Sequence, residues 1–223
     1  MSTWSVDSLN PAQRKIVEHK TGPALVIAGA GSGKTRVITH RVAHLIHSGI
    51  PASSILLLTF TNKAANEMAL RVGWALNNST EQQKIIHGTF HSVGSRFLRR
   101  NAKLLNYNNN FSIMDSSDSR DLIKSSLAEV VGKPGKNFPK AAVLQNIFSL
   151  SFNRFCTKNM ILNQPYHARL FHLEQFISAD FPNFEDNTET IQDVLIAYRQ
   201  KKKRCQVMDF DDLLENWLEL LLR

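Results

Sequence analysis

Residues 25–38, LVIAGAGSGKTRVI, pass from an apolar run through three glycines, a lysine and a threonine into a second apolar run. The segment follows the pattern G-x-x-x-x-G-K-[ST], except that alanine stands in the first glycine position. Small residues let successive backbone N–H groups face an anion, and a helix that follows directs its positive end at the same point. A strand, a phosphate-binding loop and a helix are therefore predicted in that order, which constrains the chain to an α/β fold.

The predicted loop supplies both anion contacts and a metal ligand. In this pattern Lys34 reaches the outer phosphates and the Thr35 hydroxyl ligates magnesium. A glycine turn without a ligand is the alternative, but such a turn needs neither the lysine nor the threonine. We therefore expect a nucleotide and Mg²⁺ at the eight residues Ala28, Gly29, Ala30, Gly31, Ser32, Gly33, Lys34 and Thr35.

Apolar runs and helical patterns alternate through the first hundred residues. Asn10 is placed to cap a helix that begins at Pro11, where a missing N–H costs nothing. Short apolar runs at 24–28, 55–60 and 85–91 predict strands of a parallel sheet, and the first is expected to be buried on both faces. Helical spacing is predicted at 34–49 and 62–76. The order predicts a parallel sheet with flanking helices.

Beyond Asn106 the pattern becomes mostly helical. Helices are predicted at 116–131, 139–155, 168–178 and 188–204, separated by Pro, Gly and Asn. At the end of the chain, Asp209 is placed to cap an amphipathic helix that runs to the last residue. The middle of the chain is therefore expected to be an all-α region.

The charge balance points to a polyanionic partner. Lys and Arg number 27 against 19 Asp and Glu, which gives a formal net charge of +8 and a pI near 9.7. A solvated basic surface without a ligand is the alternative. The N-terminus has no charged segment leading into an apolar run, and no segment approaches the roughly 18 uncharged residues of a membrane span. We therefore expect a soluble, cytoplasmic protein without membrane contacts.

Several motifs around the loop, in their usual order, resemble the UvrD/Rep/PcrA family of superfamily 1 DNA helicases. They are LNPAQRKIV, AGAGSGKTR, TFTNKAANEM, GTFHS and VMDFDDLL, which run from residue 9 to residue 214. The resemblance implies a RecA-like P-loop NTPase sheet with an inserted all-α subdomain. Residues 1–105 would be ATP-binding domain 1A, 106–205 the helical subdomain 1B, and 206–223 an incomplete return into 1A.

The resemblance also implies roles for individual side chains. Gln13 would hydrogen-bond the adenine of ATP, and Arg36 would lie on the base or ribose side. Contacts to single-stranded DNA would come from Phe60, Thr61, Asn62, Lys63, Thr89, His91 and Arg96. Independently of the family, an aromatic face with polar neighbours at the carboxyl end of a strand suits single-strand binding. The alternatives are a core aromatic at Phe60, a structural histidine at His91 and a solvated helix face at Arg96 with Arg99, Arg100 and Lys103.

By this resemblance the whole protein would be an ATP-dependent, magnesium-requiring 3′ to 5′ helicase. It would act on single-stranded DNA and single/double-strand junctions in repair or replication. Asp209, Asp211 and Asp212 are interpreted as helix-start residues, and the family's acidic magnesium motif lies beyond Arg223. This chain alone is therefore expected to bind nucleotide without hydrolysing it.

Two other classes of protein stay open from the sequence. One is the motor portion of a RecB/AddA-type helicase–nuclease, which would differ downstream of Arg223. The other is a non-catalytic module that binds DNA or a protein partner through the basic helical insert. Protein partners at the insert and weak self-association through an apolar sheet edge are expected in addition.

Overall fold

The computed structural model describes residues 5–77, 79–155 and 168–222. The chain divides into two compact units, Met1–Val93 and Gly94–Arg223. The first carries the glycine-rich loop, and the second is mostly helical.

Helices and strands alternate along the first unit. Its elements are α1 (Pro11–Val17), α2 (Lys34–His47), β1 (Leu56–Thr59), α3 (Asn62–Leu76), α4 (Ser79–Lys84) and β2 (Ile86–Thr89), and α5 (Phe90–Asn101) follows β2 directly. The predicted start of α1 is confirmed. The Asn10 side chain accepts the Gln13 N–H, and the Gln13 side chain accepts the Asn10 N–H.

The strands β1 and β2 pair in parallel, as the apolar runs predicted. Leu56 lies opposite Ile86, and Thr59 lies opposite Thr89. Beneath them, residues of the strands, of α2 and α3, and of the connecting segments form a core of Val42, Ala52, Ile55, Leu57, Met68, Val72 and Ile85. Both strands therefore end at the same edge of the sheet, and a helix begins directly after each.

The predicted strand at 24–28 is not formed, and that prediction was wrong. Residues 24–28 are not assigned to a strand, and Leu25 and Ile27 are 90% and 91% exposed. A buried parallel strand requires a strand on its side and helices on its faces. Within the described residues the only strand paired with β1 is β2, and neither pairs with residues 24–28. The mixed α/β class is confirmed, whereas the larger RecA-like sheet stays a proposal.

The second unit is built from helices that the sequence located within a few residues. They are α6 (Ser116–Val130), α7 (Ala141–Phe155), α8 (Ala168–Asp180), α9 (Thr188–Cys205) and α10 (Phe210–Leu222). The apolar faces of α6, α7, α8 and α9 enclose a continuous core that includes Ile123, Leu144, Ile147, Phe176, Ile177, Ile191 and Val194. The helical spacing of apolar residues is sufficient to bury these faces against one another.

A short strand pair in the second unit was not predicted. Strand β3 (Ser112–Ile113) pairs in parallel with β4 (Val207–Met208), which lies almost a hundred residues further along the chain. The Met114 N–H donates to the Met208 carbonyl at 2.8 Å. Each strand is followed by an Asp that caps the next helix, Asp115 before α6 and Asp209 before α10. The pair therefore holds the starts of α6 and α10 side by side.

None of the helices within the described ranges is both long enough and apolar enough to cross a membrane.

Candidate functional site: the glycine-rich loop and the strand ends

The glycine-rich loop connects the exposed run 24–28 to the start of α2. Gly31 and Gly33 have φ angles of 74° and 85°, in the left-handed region that favours glycine. The first intrahelical bond runs from the Val37 N–H to the Gly33 carbonyl at 3.0 Å. N–H groups before that point have no partner within a helix, and they concentrate its positive end. The loop therefore has the backbone of an anion site.

The Lys34 ammonium lies across this loop. Its Nζ donates to the Gly29 carbonyl at 2.6 Å and to the Ala28 carbonyl at 3.2 Å. The Ser32 hydroxyl also donates to the Gly29 carbonyl, at 2.8 Å. The Thr35 side chain is exposed at the first turn of α2. The loop and the first turn of α2 thus bring together a cation, a hydroxyl and backbone N–H donors. These are the groups that bind phosphate and a phosphate-bound Mg²⁺.

Gln13 approaches the loop from α1. Its Nε2 donates to the Ser32 carbonyl at 3.1 Å, while its Oε1 accepts the Asn10 N–H at 3.2 Å. A cavity of about 300 Å³ beside the loop is lined by Gln13 together with Asn10, Ala12, Ile16, Val26, Ile27, Ala28, Ser32, Lys34, Val37 and Ile38. Its walls are largely apolar, with Ile16, Val26 and Val37 among the lining residues. Such a cavity has the chemistry of a site for a flat aromatic base.

Two arginines of α2 bind α1 and the segments on either side of it. Arg41 donates to the last carbonyls of α1, those of Ile16 and Val17, at 3.0 and 3.2 Å, and to the His19 carbonyl at 2.7 Å. Arg36 donates to the Ser8 carbonyl at 3.1 Å. Arg36 therefore binds the segment before α1 in this structure, and the position of Gln13 depends on contacts along the length of α2.

Two aromatic rings lie together at the carboxyl edge of the β1–β2 sheet. Phe60 follows β1 and is 94% exposed, while Phe90 follows β2 and is 43% exposed. Their ring centroids are 6.5 Å apart at an interplanar angle of 43°. The alternative of a core aromatic at Phe60 is wrong. Phe90 was missed, although the repeated Thr-Phe at the ends of two paired strands was a usable signal.

Polar residues flank these rings on both sides. Asn62 and Lys63 are exposed at the start of α3, and His91 is half-buried in the first turn of α5. The Thr61 hydroxyl accepts the Ala64 N–H at 3.1 Å, and the Thr89 hydroxyl accepts the Ser92 N–H at 3.1 Å. Both threonines therefore stabilise helix starts. The edge combines exposed aromatic faces with amide and ammonium donors, the groups that a base and its phosphate can use.

Sequence comparison gives this geometry a family. The model of the UvrD/REP helicase N-terminal domain matches residues 9–223. The chain is 37% identical to the ATP-dependent DNA helicase PcrA of Bacillus subtilis over its whole length, and 35% identical to PcrA of Leuconostoc citreum over 96% of it. It is 34% identical over 97% to the ATP-dependent DNA helicase UvrD1 of Mycobacterium leprae.

The chain belongs to the UvrD/REP helicase N-terminal domain family. It spans about a quarter of the length of these curated relatives, 27% of the B. subtilis protein and 26% of the other two.

The basic stripe that follows GTFHS in this UvrD/REP chain is not a uniform solvated face. Arg96, Arg100 and Lys103 are exposed. Arg99 instead donates to the Phe111 carbonyl at 2.9 Å, and its guanidinium lies 4.5 Å from the Phe111 ring centroid. Arg99 is therefore a packing residue of the second unit, and Arg96 stays a candidate for DNA contact.

The run KKKR at 201–204 is also largely structural. Lys202 is 4% exposed, and its Nζ lies 2.7 Å from one carboxylate oxygen each of Asp209 and Asp212. Lys201 pairs with Glu129 at 2.8 Å. Lys203 lies 3.9 Å from the Tyr107 ring centroid and donates to the Leu105 carbonyl. These cations stabilise the helical unit.

The acidic residues before and within α10 likewise have structural roles. Asp209 accepts the Asp212 N–H at 2.8 Å, and Asp212 accepts the Asp209 N–H at 2.9 Å. Burial raises the pKa of Asp212 to about 6 against the opposing charge of Lys202. Burial also opposes ionisation of Asp209, but Lys202 and the cap hydrogen bonds hold its pKa below its ordinary value. The interpretation of Asp209 and Asp212 as helix-start residues agrees with these bonds.

Proposed function

We propose that this chain is the N-terminal, nucleotide-binding part of an ATP-dependent 3′ to 5′ DNA helicase. The observation that carries the proposal is the loop at 28–35, where Gly31 and Gly33 are in left-handed conformation, Lys34 lies across the loop, and α2 begins. Membership of the UvrD/REP family supports the choice of ATP and of DNA as ligands. The names of the relatives favour this class over a RecB/AddA-type subunit.

For the nucleotide, each group has a matching partner on the chain. The backbone donors of residues 29–35 and the Lys34 ammonium would hold the phosphates, and the Thr35 hydroxyl would hold Mg²⁺. Gln13 would hydrogen-bond the adenine in the adjacent cavity, with Arg36 on the base or ribose side after it leaves the Ser8 carbonyl. In the whole protein, bound ATP–Mg²⁺ would supply the phosphoryl-transfer chemistry, and these residues would bind and orient it.

For DNA, the sheet edge is the proposed contact. Phe60 would stack with a base, while Thr61, Asn62, Lys63, Thr89 and His91 would contact the backbone, and Arg96 would add a phosphate contact. Single-stranded DNA and single/double-strand junctions in repair or replication are the proposed substrates of the whole protein. The helical residues 106–205 would form the inserted subdomain 1B, which would also be the place for protein partners, and the protein would be cytoplasmic.

Turnover is not expected from this chain alone. Asp209 and Asp212 are committed to a helix start and a buried ion pair, so they are poor candidates for activating water. Positioning and electrostatic stabilisation supply nearly all catalysis of phosphoryl transfer, so carboxylates that are held in structural contacts contribute little to it. We therefore propose nucleotide binding without hydrolysis.

Calorimetric titration with ATP–Mg²⁺ tests the proposal. Lys34→Ala removes a charge-assisted contact and should weaken binding about 10- to 100-fold. Lys20→Ala removes an exposed lysine of the same unit outside the loop, so it should bind ATP as the wild type does. Equal affinities in all three proteins would contradict a nucleotide site at residues 28–35. Phosphate release stimulated by single-stranded DNA would contradict the absence of turnover.

A non-catalytic DNA-binding module is the second candidate. The turn between α6 and α7 exposes Lys133, Lys136 and Lys140, and the last two line one open groove. Salt-dependent DNA binding that survives Lys34→Ala but is lost when these three lysines become alanine would favour this candidate.

A further inference from the structure

We propose that Gln13 is a positioning residue of the phosphate loop, in addition to its proposed contact with the base. This inference rests on the proposed nucleotide site and assigns a second task to one of its residues. Its starting observation is the hydrogen bond from Gln13 Nε2 to the Ser32 carbonyl, which joins α1 to the loop across 19 residues of sequence.

The hydrogen bond acts on the peptide that leads into α2. The described backbone contains no cis peptide, so the Ser32 carbonyl and the Gly33 N–H lie in one plane and point in opposite directions. When Gln13 holds the carbonyl, the Gly33 N–H is directed away from α1. Gly33 is the residue before the first turn of α2, where backbone donors meet an anion. The Gln13 amide therefore fixes the direction of one of these donors before a ligand arrives.

The packing at Gly33 supports the same role independently. A Cβ atom at this position would lie 3.1 Å from Gln13 Nε2, and the φ of 85° already disfavours other residues. The absence of a side chain at Gly33 thus allows the Gln13 amide to reach the loop backbone. Few side chains could replace that of Gln13, because the replacement would need a hydrogen-bond donor at the same distance from the backbone and would have to fit beside Gly33.

Gln13 itself is held so that it can act on the loop. Its Oε1 accepts the Asn10 N–H, and its own backbone N–H donates to the Asn10 side chain at 2.8 Å. At the other end of α1, Arg41 binds the last carbonyls of the helix. Both ends of α1 are therefore fixed by hydrogen bonds, and the side-chain amide of Gln13 is held in the orientation that reaches the Ser32 carbonyl.

The second task does not exclude the first. A carboxamide has two N–H donors and two lone pairs, and the bonds to Ser32 and Asn10 use one of each. One donor and one lone pair stay available in the cavity that Gln13 lines, where a base could use both. Gln13 would then connect base binding to the orientation of the phosphate donors through a single rigid group.

Magnesium tripolyphosphate separates the two tasks because it has phosphates but no base. With the 223-residue chain in a calorimeter, Gln13→Met keeps the length of the side chain and removes its donor and acceptor. We expect tripolyphosphate to bind this variant about three- to tenfold more weakly than the wild type, the usual effect of one lost hydrogen bond. ATP should lose more, since the base contact disappears as well.

Lys15→Met is the matched control. It makes the same replacement at an exposed position of α1 that does not line the cavity and leaves the bonds of Gln13 in place, so tripolyphosphate affinity should stay within about twofold of wild type. Circular dichroism of each variant checks that the helices are retained.

Three outcomes would overturn the inference. Unchanged tripolyphosphate affinity in Gln13→Met, with weaker ATP binding, would mean that Gln13 contacts the base only. An equal loss in Lys15→Met would mean that any such substitution on α1 weakens binding, and that the Ser32 bond is not responsible. A wild-type chain that binds neither ligand would overturn the proposed nucleotide site itself, and this role with it.

Discussion

The two units of the chain differ in how far they bury their apolar side chains. In the second unit, the faces of α6, α7, α8 and α9 close on one another, and Ile191 is fully buried. In the first unit, smaller clusters form around α1, α2 and α3, while Leu25, Ile27 and Phe60 are each at least 90% exposed. An apolar pattern is therefore buried only where other elements cover it. The unit with these exposed residues also carries the glycine-rich loop and the sheet edge with Phe60 and Phe90.

The largest effect in this comparison is expected at Lys202. Lys202→Met keeps much of the packing of the side chain, which lies 4.4 Å from the Tyr198 ring centroid, but removes the cation between two buried carboxylates. Removing one partner of a buried ion pair costs about 3–5 kcal/mol. We expect the free energy of unfolding, from urea denaturation followed by circular dichroism, to fall by that order.

Lys201→Met is the control one residue away. Its partner Glu129 is 59% exposed, so water can replace the lost contact and the loss should be much smaller. Equal losses in the two variants would show that the burial of the carboxylates does not decide the cost.

A pair of isoleucines measures the contrast between the units directly. Ile191→Ala removes a fully buried side chain from the helical core and should cost about 2–5 kcal/mol. Ile27→Ala removes the same atoms from a side chain that is 91% exposed, and should change stability by less than about 0.5 kcal/mol.

The same two variants test self-association. If the exposed side chains of Leu25 and Ile27 mediate self-association, Ile27→Ala should reduce concentration-dependent association in sedimentation velocity, and Ile191→Ala should not. A large loss of stability in Ile27→Ala would mean that this segment is covered in solution.

The helices were predicted well because the residues that specify a helix lie within it or next to it in the sequence. Caps such as Asn10 and Thr61 and the spacing of apolar residues specify each helix from its own residues. Strands depend on partners far away in the chain. The pairing of β3 with β4 was missed for this reason. Residues 24–28 were predicted to be a buried strand, but no described element covers them.

The candidate site shows the same division. The residue types of the phosphate loop were readable from one motif, and Gln13 was named from the family resemblance. The bond from Gln13 to Ser32 depends on the meeting of α1 and α2, which no local pattern contains. Phe90 was missed because its relation to Phe60 arises from strand register.

The exposed aromatics should matter for ligand binding and little for stability. Phe60→Ala should weaken binding of a single-stranded oligonucleotide, measured by fluorescence anisotropy, by about 1–3 kcal/mol. Phe90→Ala should have a smaller effect, since its ring is the less exposed of the two. Thermal unfolding should barely change in Phe60→Ala. A drop in the melting temperature with unchanged DNA affinity would place Phe60 among the packing residues.

The smallest expected effect is a pH dependence from Asp212. The pKa of this carboxyl is raised by burial to about 6, from 3.8. Between these values the folded chain binds a proton that the unfolded chain releases, so the stabilising contribution falls as pH rises. The lowered pKa of Asp209 acts only under more acidic conditions, and the raised pKa of Lys202 leaves that lysine charged throughout. Between pH 5 and 7 we therefore expect Asp212 to remove about 1 kcal/mol of stability.

Asp212→Asn isolates the contribution of this one carboxyl. The amide oxygen can still accept the Asp209 N–H, so the helix start is kept while the titration is lost. The difference in unfolding free energy between wild type and variant should shift in favour of the variant from pH 5 to pH 7. A constant difference across this range would mean that Lys202 keeps both carboxylates ionised, and the helical unit would then hold two full negative charges beside one cation.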